Sequence, residues 1–358
     1  MKKKILAAIF AGLMTFGSFG NIDDVQAASR QEIAAIKVNR PADFKYWADK
    51  STVKNQIINY VKDVTNKKSK NFIPVEDRIA VFDMDGTILC ETAPKSLGYM
   101  LVLDTVLKNP TAKVDDAHRE RAKVWRDAIL SKNFTSEIEN ELKDYAWKVF
   151  EGLTDEEFYS RAEKFLNTNN VVGLSNLKYG ESFYLPMIEI ISYLNANDFT
   201  VYIITGSERR TTRAILDGVV PVQKNHVIGC DIPYKWENNN GGKYFVKGDR
   251  FLMSDHRNGS NTRINKIYSI KREIGKQPVL AFGNSSGDLD MLNYTISDNK
   301  YKSAAFMVLC DDYEREIGNK KLENEMRQAS QKNGWTTISM KNDFKTIYGD
   351  KVKRTGDF

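Results

Sequence analysis

Two aspartates that are one residue apart follow a short apolar run in residues 78–92, which read RIAVFDMDGTILCET. The run Ile79–Phe82 is typical of a buried strand, and Asp83 and Asp85 come directly after it. Because two carboxylates beside a hydrophobic sheet are costly unless a cation pairs with them, the pattern predicts a positive charge at this point. A bound metal ion and a lysine are the two sources of that charge.

Polar residues also end two later apolar runs. The β-branched run in FTVYIITGS stops at Thr205 and Gly206, and the run in VLAFGNSSGD stops at Asn284 and Asp288. Thr205 and Gly206 offer a hydroxyl and backbone N–H groups to a phosphate. Helical patterns separate these runs, and strands that alternate with helices form a parallel, doubly wound sheet. Ligands of such sheets bind beyond the carboxyl ends of the strands, so we expect these polar residues to lie together.

Oxygen ligands dominate this set of residues. Asp83, Asp85 and Asp288 supply carboxylates, Asn284 supplies an amide oxygen, and neither His nor Cys occurs among them. Hard oxygen ligands of this kind favour Mg²⁺, which would offset the repulsion between the aspartates. Lys266, at the start of the helical segment NKIYSIKREIG, is placed to reach the same point as a mobile cation.

Four segments of the chain together resemble the motifs of the haloacid-dehalogenase-like (HAD) superfamily of phosphohydrolases. In order along the sequence they are DMDGT, the strand-terminal TGS, the lysine at position 266 and GNSSGD. The resemblance covers nearly all of the chain after residue 75. The helical stretch between the first two motifs is in the place where phosphoserine-phosphatase-like members carry a helical cap.

The resemblance implies a role for each residue of the site. Asp83 would be the nucleophile that forms an aspartyl-phosphate, and Asp85 would protonate the leaving alcohol and then activate water. Thr205 and Gly206 would bind phosphate oxygens, while Lys266 would stabilise both the phosphate and the Asp83 carboxylate. Dehalogenases generally lack the second acid, so the resemblance points to hydrolysis of phosphate esters.

The resemblance also implies how Mg²⁺ would be held: by the side chain of Asp83, by the backbone carbonyl of Asp85 and by the fourth motif. The fourth motif departs from the family pattern, because Asn284 stands where an aspartate is usual. We expect Asp288 to supply the main charge to the metal and Asn284 to make a weaker or water-mediated contact.

Three of these assignments leave alternatives open. Arg263 competes with Lys266 for the third motif, and the spacing to the strand favours the lysine. Glu91 resembles the position where phosphoserine phosphatases direct a glutamate to the amino group of the substrate, although a hinge residue fits as well. Ser207 contacts the substrate in one interpretation and caps the following helix in the other.

The fold that these patterns predict is α/β, with a Rossmann-like, doubly wound parallel sheet and an inserted, all-helical cap. We expect a mostly helical arm at 29–75, a catalytic core at 76–92 and 183–350, and the cap at 93–182. The helical periodicity of apolar residues supports the cap prediction. Strand-like flanks around the Asn-Gly turn in YKWENNNGGKYFV predict a hairpin inserted into the core.

Composition and the N-terminus bear on partners and location. The formal charge of +6 over 358 residues is spread along the chain, which argues against a nucleic-acid groove. Residues 1–28 combine three lysines with an apolar run and VQAAS, which is the pattern of a cleaved secretory signal peptide. An uncleaved membrane anchor is the alternative, but the run is short and is broken by Gly and Ser. The three cysteines match no metal-binding spacing.

Together these features predict a secreted, Mg²⁺-dependent phosphomonoesterase that acts on small phosphorylated metabolites. Neither nucleic acid nor, after signal cleavage, a membrane is an expected partner. An amine-bearing ester such as phosphoserine is the substrate that Glu91 and the class of cap suggest. Two alternatives stay open. One is another enzyme on the same scaffold, such as a phosphotransferase or, less readily, a dehalogenase; the other is a protein that binds phosphate and metal without turnover.

Overall fold

The structure, a computed structural model, describes residues 27–91, 95–110, 112–237 and 244–355. Its strands, in chain order, are β1 (Ile79–Phe82), β2 (Thr200–Glu208), β3 (Val227–Cys230), β4 (Tyr234–Glu237), β5 (Arg250–Met253), β6 (Leu280–Gly283), β7 (Ala304–Leu309) and β8 (Thr336–Ser339). Within the described ranges, six parallel strands form one sheet in the order β3-β2-β1-β6-β7-β8, and β4 pairs with β5 in an antiparallel hairpin.

Apolar side chains fill both faces of this sheet, because the central strands consist almost entirely of apolar residues. Along β1, Ile79 and Val81 pack on one face, and Ala80 and Phe82 pack on the other. The ring of Phe82 stacks on that of Phe282 in β6, with 4.2 Å between the centroids. This packing fixes the register of β1 against β6, and therefore the position of the residues that follow each strand.

Helices cover both faces of the sheet. In chain order they are α1 (Arg30–Ala34), α2 (Thr52–Thr65), α3 (Leu97–Lys108), α4 (Asp116–Leu130), α5 (Ser136–Ala146), α6 (Asp155–Thr168), α7 (Leu185–Ala196), α8 (Arg209–Leu216), α9 (Ile264–Ser269), α10 (Leu289–Ile296), α11 (Lys320–Asn333) and α12 (Met340–Asp343). Helices α10 and α11 pack on the face of Ile79, and α2 and α7 pack on the face of Phe82. The predicted fold class, a doubly wound parallel sheet with helices on both sides, is confirmed.

The segment before β1 packs against the core over most of its length. Helix α2 buries Ile57 and Val61 completely. The indole N–H of Trp47 donates to the carbonyl of Pro186 at 2.8 Å, and two successive backbone N–H groups of the same segment donate to the buried carboxylate of Glu189. The region predicted as a helical arm is therefore attached to α7 by hydrogen bonds as well as by apolar contacts.

Helices α3 to α6 lie between β1 and α7 in the chain, where the sequence predicts a cap. They bury Trp125, Leu142 and Phe158, which share one apolar cluster. Helix α6 begins with a capping box, in which Thr154 and Glu157 each accept a hydrogen bond from the backbone N–H of the other. This group of helices is called the cap below.

The hairpin of β4 and β5 holds the cap against the core. The backbone N–H of Met253 donates to the carbonyl of Leu153 at 2.8 Å, and the carbonyl of Met253 accepts from the N–H of Gly152 at 2.9 Å. At the start of α6, Asp155 forms an ion pair of 2.8 Å with Arg210 of α8. These contacts join the cap to two separate elements of the core.

The strand that pairs with β4 differs from the one predicted. The sequence pattern pairs the residues on either side of the Asn-Gly turn, whereas the structure pairs β4 with β5, and Tyr244 and Phe245 are exposed outside both strands. Residues 238–243, which contain the predicted turn, lie outside the described residues. Met253 of β5 is completely buried and contacts the cap, so burial decides which segment becomes the partner strand.

The predicted signal peptide covers residues 1–28, and residues 1–26 of it lie outside the described part of the chain. The next two residues, Ala27 and Ala28, donate backbone hydrogen bonds to the carbonyls of Asn176 and Tyr348. Among the helices of the described ranges, none has both the length and the apolar character to cross a bilayer. Cleavage of the leader stays a prediction.

Candidate active site

The polar residues that follow the strands meet at the carboxyl edge of the sheet, where its topology changes direction. Strands β1 and β6 are neighbours, but the chain continues from β1 to β2 on one side and from β6 to β7 on the other. Such a switch point leaves a crevice between the loops that follow the two strands. Asp83 follows β1 and the loop 284–288 follows β6, so the structure brings them together.

A buried lysine joins the two strand ends. The ammonium of Lys266 lies 2.6 Å from Oδ1 of Asp83 and 2.6 Å from Oδ1 of Asp288, and it donates to the carbonyl of Ile204 in β2. Lys266 is 2% exposed, so almost no water screens these charges. The chain itself therefore supplies, through Lys266, part of the positive charge that the sequence predicts beside the aspartates of the first motif.

Arg263, the alternative for the third motif, lies at the start of α9 with an exposed side chain. Its backbone N–H donates to the carbonyl of Gly287 at 2.8 Å, which ties α9 to the loop after β6. The structure thus brings Lys266 to the strand ends and leaves the Arg263 side chain at the surface.

Burial and mutual repulsion shift the titration of these groups. Burial raises the pKa of the Asp83 carboxyl to about 7, and Asp288 acts in the same direction while Lys266 opposes both. Burial also raises the pKa of Asp85. For Lys266, burial lowers the pKa, but the carboxylates of Asp288 and Asp83 outweigh it and the net shift is upward. The lysine is therefore charged at neutral pH, and the raised pKa of Asp85 suits a group that gives and takes a proton.

Asp85 is held in place by the end of β2. Oγ of Ser207 donates to Oδ2 of Asp85 at 2.5 Å. The other oxygen, Oδ1, is buried and has no hydrogen-bond partner among the described residues, which marks a place for a proton, a substrate or a metal ion. Helix α8 is capped by Glu208, which accepts from the N–H of Thr211 at 2.7 Å. The cap of α8 is therefore Glu208 and not Ser207, whose hydroxyl contacts Asp85 instead.

Thr205 and Gly206 lie beside the same site. Oγ1 of Thr205 accepts from the N–H of Ser207 at 3.0 Å, and the carbonyl of Thr205 accepts from Nδ2 of Asn261 at 2.9 Å. A Cβ at Gly206 would lie 2.7 Å from Cγ2 of Thr262, so a side chain would require that residue to move. The hydroxyl and the backbone N–H groups of this segment are thereby fixed, as a phosphate site needs.

Asn261 is a positioning residue that the sequence did not reveal. Its buried amide joins the carbonyls of Thr205 and Ile228, and its Oδ1 accepts from Ser269 at 2.7 Å. It therefore links β2, β3 and α9 behind Thr205 and Gly206. In the sequence it is one asparagine in a polar loop, and neither spacing nor motif distinguishes it from its neighbours.

Asn284 and Glu91 lie against the turn that contains the first motif. Nδ2 of Asn284 donates to Oε2 of Glu91 at 2.7 Å, and Oδ1 of Asn284 accepts from Thr87 at 3.3 Å. Gly86 has a φ of +78°, and a Cβ there would overlap Nδ2 of Asn284, so this position requires glycine. Burial and, after it, the nearby aspartates raise the pKa of Glu91 to about 8. Glu91 thus contacts the fourth motif directly.

Asp288 organises the loop after β6. Its Oδ2 accepts from the backbone N–H groups of Asn284 at 3.1 Å and Ser285 at 3.0 Å, and its Oδ1 accepts from Lys266. Both oxygens therefore already have partners within the chain. The sequence predicts that Asp288 makes the main contact with a metal, and these hydrogen bonds leave its oxygens less available for that role.

The donor set fits Mg²⁺ in its chemistry. Asp83 contributes a carboxylate and Asn284 contributes an amide oxygen, while Asp85 contributes a backbone carbonyl. The buried Oδ1 of Asp85, which lacks a partner within the described ranges, leaves a polar atom there for water or substrate. No three His, Cys, Asp or Glu side chains of the described residues converge as a metal site. The other ligands would therefore be backbone carbonyls, water and the phosphate itself, which are usual for Mg²⁺.

Comparison with known proteins gives one family and several distant structures. The family model described as haloacid dehalogenase-like hydrolase matches residues 80–293, which is more than half of the chain. A conserved protein of unknown function from Anaerococcus prevotii is 14% identical, with a TM-score of 0.52 over 82% of this chain and 92% of that one.

The search of curated proteins found no match in sequence. Two further structures are similar with lower TM-scores. Cytosolic 5'-nucleotidase IIIB bound to cytidine is 13% identical, with a TM-score of 0.44 over 82% of this chain and 86% of that one. A phosphoserine phosphohydrolase-like protein from Francisella tularensis is 13% identical, with a TM-score of 0.34 over 65% and 87%. The structure from Anaerococcus prevotii, with its TM-score of 0.52 at 14% identity, supports the fold alone.

Proposed function

The chain belongs to the haloacid dehalogenase-like hydrolase family, and from this premise we propose that it is a Mg²⁺-dependent phosphomonoesterase that forms an aspartyl-phosphate on Asp83. Its substrates are small phosphorylated metabolites, and nucleic acid is not among its partners. The cap, held over the core by the hairpin contacts at Met253, would exclude bulk water and macromolecules from the site.

The observation that carries this proposal is the ion pair between Asp83 and Lys266, at 2.6 Å. A carboxylate beside a charged lysine is held ready for an electrophile that bears negative charge, as a phosphoryl group does. Asp85, whose pKa burial raises, lies two residues further along the same turn. A halide leaves without a proton whereas an alkoxide needs one, so the second acid favours a phosphate ester over a haloacid as the substrate.

In the proposed reaction an oxygen of Asp83 attacks phosphorus, and the bond between phosphorus and the alcohol oxygen breaks. Asp85 gives its proton to the departing oxygen and later takes one from the water that attacks the aspartyl-phosphate. That second step releases phosphate and restores Asp83. Lys266, Thr205 and Gly206 hold the phosphoryl oxygens in position, and Mg²⁺, when bound, supplies further positive charge to them.

A phosphatase assay with and without metal tests the proposal. We expect the purified protein to release p-nitrophenol from p-nitrophenyl phosphate in the presence of Mg²⁺. A chelator should lower the rate at least about a hundredfold, because charge stabilisation by the metal is worth several kcal/mol, and added Mg²⁺ should restore it. Tight binding of phosphate without turnover of any phosphomonoester would contradict the proposal and would favour the non-catalytic alternative.

The ligands of the metal can be separated by two substitutions in the loop after β6. Because both oxygens of Asp288 serve Lys266 and backbone N–H groups, we expect Asp288→Asn to lower kcat with little change in the Mg²⁺ concentration that gives half-maximal rate. Asn284→Ala should raise that concentration about tenfold or more, since it removes a ligand oxygen. The measurement is a titration of rate against Mg²⁺.

Ser286→Ala is the control for this pair, because Ser286 is an exposed residue of the same loop. We expect it to leave both kcat and the Mg²⁺ requirement unchanged within about twofold. If Asp288→Asn abolishes the response to Mg²⁺ while Asn284→Ala leaves it intact, Asp288 is the principal ligand, as the sequence predicts.

Export is the second part of the proposal. It is supported by the three lysines, the apolar run and the small residues of positions 1–28. We expect the protein recovered outside the cytoplasm to start near Ser29 when its N-terminus is sequenced. A full-length chain in the membrane fraction would instead support an uncleaved anchor.

A further inference from the structure

A cavity of about 270 Å³ lies between the cap and the core, next to the proposed catalytic carboxylates. Its cap side is formed by α3, by α5 and by the turn after α5, and its core side is formed by the end of β2 and by the loop before α9. Ser207 lines this cavity and also donates to Asp85. The cavity is therefore next to the acid that would protonate a departing alcohol, and an alcohol attached to the phosphate would extend into it.

Apolar side chains, three of them aromatic, form much of the cavity wall: Tyr99, Val102, Trp147, Phe150 and Ile232. Aromatic walls of this kind bind flat rings through offset or edge-to-face contacts, in addition to the gain from burying apolar surface. The volume corresponds to about nine water molecules. A short polar alcohol would leave most of this wall in contact with water, whereas a ring would cover it.

The charge that lines the cavity is positive. Lys143 and Arg257 both line it, and within the described ranges neither of them forms an ion pair. The guanidinium of Arg257 lies 5.1 Å from the centre of the Trp147 ring, which restrains the indole by a cation–π contact. The carboxylate in the wall, Glu208, already accepts from Arg210 and Thr211. The cavity therefore favours a substrate that carries hydrogen-bond acceptors over a substrate that carries an ammonium group.

Glu91, which the sequence offers as the partner of an amino group, lines a different and smaller cavity together with Asn284 and Tyr184. Its carboxylate accepts from Asn284 at 2.7 Å. The ammonium of an amino-acid phosphate bound under the cap would instead lie near Lys143 and Arg257, with repulsion from both.

We propose that the substrates are phosphomonoesters of alcohols that carry a flat aromatic ring with hydrogen-bond acceptors. The ring binds among Tyr99, Trp147 and Phe150, and its acceptors bind Lys143 and Arg257. This substrate class rests on the proposed phosphomonoesterase function and narrows it. It takes the place of the amine-bearing class that the sequence suggests.

Four esters of primary alcohols test the proposal on the full protein with Mg²⁺. A nucleoside monophosphate and benzyl phosphate carry rings, while phosphoserine and glycerol phosphate do not, and the similar leaving groups keep the intrinsic reactivity comparable. We expect kcat/KM to be at least about tenfold higher for the two ring-bearing esters, which corresponds to one well-formed aromatic contact. Release of phosphate is the readout for all four.

Substitutions in the wall identify the source of this preference. Trp147→Ala should lower kcat/KM for both ring-bearing esters about tenfold and should change the rates for the other two by less than about twofold, whereas Trp147→Phe should retain most of the preference. Lys143→Gln should lower kcat/KM for the nucleoside monophosphate. It should leave kcat/KM for benzyl phosphate unchanged, because the ring of benzyl phosphate has no hydrogen-bond acceptor. Trp236→Ala, at an exposed tryptophan of β4 outside the cavity, is the matched control.

The results separate the failure of this inference from the failure of the proposed function. Hydrolysis of all four esters with equal kcat/KM, or a preference for phosphoserine, would overturn the substrate class and leave the phosphomonoesterase function standing. Absence of hydrolysis with all four would overturn both. If Trp147→Ala does not unfold cooperatively, the variant is not properly folded and its rates are set aside. The ratio of kcat/KM between the ring-bearing and the ring-free esters for the wild-type protein then decides the question.

Discussion

The Asp83→Asn variant is expected to fold as the wild-type protein does and to hydrolyse phosphomonoesters at least about a thousandfold more slowly. The amide keeps the shape of the carboxylate, and its oxygen still accepts from Lys266, which lies 2.6 Å from Asp83. It is not a nucleophile towards phosphorus, however, so the aspartyl-phosphate does not form. The measurement is kcat with p-nitrophenyl phosphate at saturating Mg²⁺, together with a thermal or denaturant unfolding curve.

The same substitution removes one of several mutually repelling carboxylates from a buried site. Burial and Asp288 together raise the pKa of Asp83 to about 7, so the ionised form is disfavoured in the folded protein. We therefore expect the free energy of unfolding of Asp83→Asn to equal or exceed that of the wild type. Loss of activity with unchanged or increased stability would show that the carboxylate acts in the reaction rather than in folding.

Two controls accompany this variant. Asp49→Asn changes an exposed aspartate and should leave activity within about twofold of wild type. Wild-type protein quenched in acid during turnover should carry one phosphoryl group in the peptide that contains Asp83, and Asp83→Asn should carry none. Robust turnover by Asp83→Asn would place the active site elsewhere in the molecule.

Lys266→Met is expected to reduce both activity and stability. The ammonium of Lys266 lies 2.6 Å from the carboxylates of both Asp83 and Asp288, and Lys266 is 2% exposed. Methionine fills similar space without charge and leaves two buried carboxylates facing each other. Loss of one partner from a buried ion pair costs about 3–5 kcal/mol, so we expect a decrease of this order in the free energy of unfolding at neutral pH with a chelator present.

The pH dependence of this loss follows from the same charges. Without Lys266, repulsion from Asp288 is no longer offset and raises the pKa of the Asp83 carboxyl further in the folded protein, while in the unfolded chain this carboxyl titrates near the ordinary value of about 4. The folded variant then binds more protons than the unfolded one, so its stability is retained in acid and is lost as the pH rises towards neutrality. The difference in unfolding free energy between Lys266→Met and wild type should therefore be smaller at about pH 5 than at about pH 8.

Arg263→Gln is the matched control for Lys266→Met, since Arg263 is the other cation near the third motif and its side chain is exposed. We expect it to retain most of the activity and the stability of the wild type. If Arg263→Gln loses turnover and Lys266→Met keeps it, the arginine is the cation of the third motif and the proposed charge arrangement is wrong.

The sequence was sufficient for the family and the fold class, because the signals for both are local. The apolar run of β1, the β-branched run of β2 and the run of β6 each lie within a few residues, and the helical patterns between them dictate parallel strands. Parallel strands bring their carboxyl ends to one edge, so the meeting of Asp83, Thr205 and Asp288 could be expected from chain order alone.

Other features depended on contacts between residues far apart in the chain. Asn261 links β2, β3 and α9 through its amide, yet in the sequence it is an ordinary loop residue. The partner of β4 was chosen by burial of Met253 against the cap, which overrode the turn signal nearer in sequence. The sequence offers Glu91 as the partner of a substrate amine or as a hinge residue, and neither interpretation indicates the contact with Asn284, 193 positions further along the chain.

By itself, the sequence determined the fold class and the edge of the sheet at which the motif residues collect. Both properties can be predicted from local patterns, namely the periodicity of apolar residues and the order of the motifs along the chain. Only the tertiary structure decided the shape and charge of the cavity under the cap, where Tyr99, Trp147 and Arg257 meet. The physical reason is that packing between separate helices and loops creates that space, and no short segment of sequence contains it.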